Sequence, residues 1–176
     1  MFIRVKNISG KRYAYLCESV WRDSKNQQVV KQYLGKIFDA SETPYISATS
    51  EVKKETLLSQ LLAQTLGMAG FIKHNTLWSK EIDGQILIVN EQTFAVKSQK
   101  DKDIIIKLND GYLCSHTLLE LHKVLQEPSM DQGVELAESF VDCGFRLAPE
   151  FFVQVYTKLF AQQKTQGEEE STTINY

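Results

Sequence analysis

From Phe2 to Phe38 the chain alternates apolar and polar positions in steps of two. In "FIRVKNI", Ile3 and Val5 point one way and Arg4 and Lys6 the other, the period of a half-buried strand. "SGK" supplies a turn. In "RYAYLCESVW", Ala14, Leu16 and Val20 share a side opposite Tyr13, Tyr15, Cys17 and Trp21, and the aromatic content favours a strand over a helix. "RDSKNQ" is a polar connection, after which "VVKQYLGKI" sets Val30 and Leu34 against Val29, Lys31 and Tyr33. Three such runs joined by short polar turns predict an antiparallel meander over residues 1–38.

The period then changes. "DASETPYISATS" breaks it with Pro44 and a Ser/Thr cluster, which marks a linker over residues 39–50. "SEVKKETLLSQLLAQTLG" predicts a linking helix with Ser50 at its start, an apolar stripe through Leu58, Leu61, Leu62 and Leu66, and Gly67 at its end. From Gly84, "QILIVN", "TFAVKS" and "DIIIKLN" return to strand-like runs and predict a second small antiparallel sheet, closed by the turn signal "NDG" at Asn109–Gly111. Helices come next. Thr117 and Glu120 have capping-box spacing, Ser129 and Gln132 repeat it before a helix ending at Gly144, and Pro149 opens a third. The fold class is therefore α+β, with an α+β body over 51–165 and a polar, disordered tail over 166–176.

Composition narrows the setting. At 176 residues, 43% hydrophobic and 24% charged, the chain can bury a core. No apolar run approaches the roughly 18 residues of a membrane helix, and the opening "MFIRVKNISGKR" lacks a secretory apolar stretch. The expectation is a cytoplasmic protein with no membrane partner. Cys17, Cys114 and Cys143 are odd in number and set among apolar neighbours, which fits reduced buried thiols rather than disulfides.

Charge changes the picture more. Through Phe38 the chain carries eight cations against Glu18 and Asp23, a net +6 that leaves −8 for the remainder of a chain whose total is −2. A basic module on an acidic body points to phosphate as partner.

Catalytic motifs are sparse. Cys114, His116 and His122 lack the close ligand pairing of a metal site, because a helical His pair needs a spacing of four and this one has six. Cys114 at a helix start could form a thiolate with His116 or His122 as its base, yet it sits among core-like residues and no third residue can be named to orient that base. Asp101, Asp103 and Asp110 alternate with lysines and read as a charge-balanced turn rather than a magnesium site. No phosphate-loop, dinucleotide or zinc-protease motif occurs. The reading is of a non-enzymatic protein without metal or cofactor.

The meander is then the candidate interface. One face is Ile3, Val5, Ala14, Leu16, Val30 and Leu34. The other presents Arg4, Lys6, Tyr13, Tyr15, Lys31 and Tyr33, with Lys11, Arg12, Arg22 and Lys25 in or beside the turns and Trp21 towards the edge. Cations that neutralise phosphate beside rings that stack on bases are what a nucleic-acid-binding sheet needs, whether for DNA or structured RNA. The acidic C-terminal part is left to contact protein. In a rival reading, Tyr13, Tyr15 and Trp21 form an aromatic patch for a protein partner or an assembly.

The runs "IR", "GKRYAYLCES" and "VVKQYLG", at Ile3, Arg4, Gly10, Lys11, Tyr13, Tyr15, Leu16, Glu18, Ser19, Val29, Val30, Tyr33, Leu34 and Gly35, give the N-terminal segment a resemblance to that of DDE-type insertion-sequence transposases. Small uncharacterised prokaryotic, largely archaeal, proteins share the opening. The resemblance implies a DNA-recognition or accessory sheet and carries no catalytic residue, since the chain lacks the length and strand order of a ribonuclease-H-like core. Gln27 and Gln28 stand where that family more often has a cation.

Overall fold

The computed structural model describes residues 1–22, 25–47, 53–127 and 133–170, apart from the side chains of residues 22 and 160–170. The cap expected at Ser50 and the Ser129–Gln132 spacing lie outside the described residues. In chain order the elements are β1 (Phe2–Ile8), β2 (Lys11–Arg22), β3 (Lys25–Asp39), α1 (Lys54–Met68), β4 (Ile72–His74), β5 (Leu77–Ile82), β6 (Gln85–Asn90), β7 (Val96–Ser98), β8 (Ile104–Leu108), β9 (Gly111–Leu113), α2 (Ser115–Gln126), α3 (Gly133–Asp142) and α4 (Pro149–Glu170). The fold is α+β.

The three-stranded antiparallel meander is present as β1, β2 and β3. Ser9 and Gly10 both take positive φ, 50° and 73°, the mirror-image two-residue turn whose twist suits a hairpin. The meander does not end at its third strand. β3 runs parallel to β8, and β8 pairs antiparallel with β9, giving one five-stranded sheet in the order β1-β2-β3-β8-β9.

"DIIIKLN" therefore joins the first sheet, not the second where the sequence pattern placed it. Ile104, Ile105 and Ile106 are all buried, so this strand is covered on both faces, as parallel strands characteristically are. Ile105 packs with Ala14, Leu16, Leu34, Ile37 and Cys114 on one side, while Ile104 and Ile106 join Phe38 in the main core on the other. The second sheet is four-stranded and antiparallel, β4-β5-β6-β7, and recruits two strands before Gly84 that carry no strong alternation signal.

The helices cover these sheets. Leu57, Leu58, Leu61, Leu62 and Leu66 of α1 are buried, so the leucine stripe is core. α1 closes at Gly70 rather than Gly67: Gly70 has φ +80°, and Phe71 N–H donates to Leu66 C=O at 2.9 Å, which satisfies an orphan carbonyl and buries Phe71 near Leu66. α2 begins three residues before the Thr117–Glu120 spacing implied. Cys114 is its N-cap, and Cys114 N–H donates to Thr117 Oγ1 at 3.1 Å. α3 is closed by Gly144, which has φ +80° just past the helix's last residue Asp142, α4 opens at Pro149, both as the pattern predicts, and α4 continues to Glu170 into the polar tail. The 39–47 segment is tied down: Ile46 N–H donates to Arg146 C=O at 2.6 Å and its carbonyl accepts from Ala148 N–H at 2.8 Å.

Candidate nucleic-acid interface

Cross-strand register decides which side chains share a face. Lys6 pairs with Tyr13 and Tyr13 with Lys36, so cation, ring and cation form one row across three strands. The next row is Arg4, Tyr15 and Tyr33. Lys11 pairs with Ile8, in phase with Lys6. These side chains lie on the outer face, opposite the inner face where Ile3, Val5, Ala14 and Leu16 pack. Of the residues singled out from sequence, the fold thus brings together Arg4, Lys6, Lys11, Tyr13, Tyr15 and Tyr33.

Two irregularities in the β2–β3 ladder change the remainder. Between Ala14 and Tyr15 the register skips Leu34, and between Leu16 and Cys17 it skips Lys31. Leu34 turns into the inner core, whereas Val30 comes level with Cys17 and Phe2 and is exposed, not buried as strict alternation requires. Lys31 reaches Glu18 at 2.7 Å, and alternation along β2 sets Glu18 with Leu16 rather than with Tyr15. The hydrogen bond and charge of Lys31 hold the Glu18 carboxyl below its ordinary pKa. Arg12, which pairs with Asn7, lies on the inner side and is bonded to Asp39. Lys31 and Arg12 are therefore not part of the outer cluster.

Charge is segregated by face as a result. Among the described residues, the outer positions of β1–β3 hold no carboxylate. Arg4, Lys6, Lys11 and Lys36 have none within ion-pair distance there, while Glu18 and Asp39 are both neutralised on the inner side. Arg4 is instead oriented by Gln28, whose amide oxygen accepts from its guanidinium at 2.8 Å.

The rings are a cluster, not three isolated side chains. Tyr33 lies 5.4 Å from Tyr15 and 6.4 Å from Tyr13, both tilted, and Lys6 Nζ stands 4.9 Å from the Tyr15 centroid. Burial, with Tyr13 and Tyr15 adding to it, pushes the Tyr33 hydroxyl pKa up, so it remains a neutral donor. Trp21 is 73% exposed at the far end of β2, and Lys25 is exposed opposite Arg22, whose side chain is outside those described. Lys36, Phe2 and Gln28 also belong to this face and were missed from sequence. The signal for Lys36 was Gly35, since a glycine inside a strand marks a bulge or a close approach.

The other chemical candidates resolve differently. Burial raises the Cys114 thiol pKa despite hydrogen bonds from Thr117 and the backbone, and burial raises that of Cys143 as well, so neither supplies a thiolate near neutral pH. Among the described residues no three His, Cys, Asp or Glu side chains converge as metal ligands. A cavity of about 340 Å³ at the curled ends of the sheet is lined by Phe2, Ile3, Tyr112, His116, Glu120 and Asp142, among others. Burial, reinforced by Glu138, pushes the Asp142 carboxyl up, with His116 opposing. Among the described residues no helix is long and apolar enough to cross a membrane. Compared with known proteins, the chain matches no family model, no curated protein and no solved structure.

Proposed function

We propose that this protein binds nucleic acid through the outer face of β1–β3, with Arg4, Lys6, Lys11 and Lys36 on the phosphate backbone and the tyrosine cluster against bases or sugars. The observation that carries this reading is the segregation of charge: in a chain of net charge −2, the outer cations have no carboxylate partner on their face among the described residues, while Glu18 and Asp39 of the same strands are neutralised behind it. Phosphate is the ligand that such an array favours, because releasing its counterions rewards each cation placed on it. The likeness of this segment to the opening of insertion-sequence transposases agrees with a DNA-facing role for it.

Four backbone contacts give a salt slope of roughly −3 to −4, so affinity falls about 50- to 150-fold between about 50 and 200 mM salt. Fluorescence anisotropy with duplex DNA, single-stranded DNA and structured RNA at those two concentrations tests the proposal. If none of the three binds at the lower salt, the reading fails, and exposed Trp21, Val30 and Tyr33 become a surface for a protein partner instead.

A further inference from the structure

We infer that the groove beside the tyrosine cluster takes one unpaired nucleotide, which makes single-stranded nucleic acid the ligand class. The inference rests on the nucleic-acid reading above and adds the state of the strand. Tyr13, Tyr33 and Phe38 of the first sheet, Gln85 of the second, and Lys102 and Asp103 of the β7–β8 connection line a groove of about 450 Å³. That volume lies within the range of about 300–1,000 Å³ typical of small-molecule sites. It suits a single nucleotide and excludes a duplex.

Charge assigns the parts of that nucleotide. In the groove Lys102 is offset by Asp103 and Asp101 is held by Lys97 at 2.7 Å, while Lys36 stands at the groove edge in the outer row with Tyr13. A balanced groove gives no net attraction to phosphate but suits a neutral base, whose edge can exchange hydrogen bonds with the Gln85 amide and the Asp103 carboxylate. The phosphates stay outside on the unbalanced face. In the row Lys6–Tyr13–Lys36 the two lysines sit two strand spacings apart, about 10 Å, with the ring between them. Tyr13 belongs to both the face and the groove, so a strand crossing the face delivers a base to the groove mouth. A duplex keeps its bases stacked inside and offers this site only phosphates.

The test uses the full chain, a labelled mixed-sequence 12-mer as single strand and as duplex, and the variants Tyr13→Leu and Tyr33→Leu. Each variant removes a ring without altering charge. Stacking of one base is worth about 5- to 150-fold in affinity. Single-strand affinity should fall by that factor in either variant, with duplex affinity and both salt slopes unchanged. Equal wild-type affinity for the two forms, or variants that retain full single-strand affinity, would overturn the groove assignment and leave phosphate binding standing. Absence of binding to either form would remove the nucleic-acid reading along with it.

Discussion

Gly35 is where the geometry of the outer face is most exposed to a single methyl group. Its φ of +137° is one that L side chains rarely adopt, and an added Cβ would lie 2.5 Å from Asp103 O and 2.8 Å from Ile104 Cα. Both neighbours are backbone of or next to β8, so neither can swing aside as a side chain tip could. The conformational cost of Gly35→Ala is about 1–3 kcal/mol. The overlap adds about 1–3 kcal/mol more. Together they give about 2–6 kcal/mol, which at an m-value near 2 kcal/mol/M lowers the urea midpoint by about 1–3 M. Gly67→Ala is the matched control. Gly67 lies in α1 with nothing within 4 Å of an added Cβ, so the same methyl should stabilise by up to about 1 kcal/mol. Urea unfolding followed by tryptophan fluorescence reads both. A Gly35→Ala midpoint within about 0.3 M of wild type would refute the close β3–β8 approach, and with it the register that sets Lys36 beside Ile104.

Burial leads to two further expectations. It raises the Glu91 pKa, but hydrogen bonds from Lys73 and Trp78 outweigh it and hold the carboxyl below 4.5. The stabilisation from Glu91 is therefore full above the unfolded value of 4.5 and is lost as pH falls through the lower folded value. Urea titrations should find Glu91→Gln less stable than wild type at neutral pH, with the difference shrinking in acid; a constant difference would contradict the ion pair. Cys17, Cys114 and Cys143 are all buried, so a thiol-specific colour reagent at about pH 8 should label none of them until denaturant is added. Rapid labelling of the native protein would show that a thiol is accessible after all.

The meander was legible because its first two strands alternate without a break, and register is then set by the two-residue turn at Ser9–Gly10. β3 was legible only in part. Alternation cannot see that Leu34 and Lys31 are skipped, and each skip reverses the facing of the next residues along the strand, which is why Val30 and Lys31 were misplaced and Lys36 was missed. The destination of β8 was hidden by a different cause. Three consecutive isoleucines report burial on both faces, but not which sheet supplies the neighbours, since that contact spans more than 60 residues of chain. The groove was invisible in the sequence because Tyr13, Gln85 and Asp103 come from three distant segments. The leucine stripe of α1, the glycine closing α3 and the proline opening α4 are local signals, and all three hold.

The most direct measurement of the central claim compares two variants with the same change in charge on opposite faces of one sheet. Lys6→Ala with Lys36→Ala removes two outer cations, and Arg12→Ala with Lys31→Ala removes two inner ones that are already neutralised by Asp39 and Glu18. Salt-dependent anisotropy should show the outer pair flattening the slope by about 1.4–1.8 while the inner pair leaves slope and affinity at the wild-type values. Equal losses in both variants would mean that net charge alone drives binding, contradicting an interface built on one face.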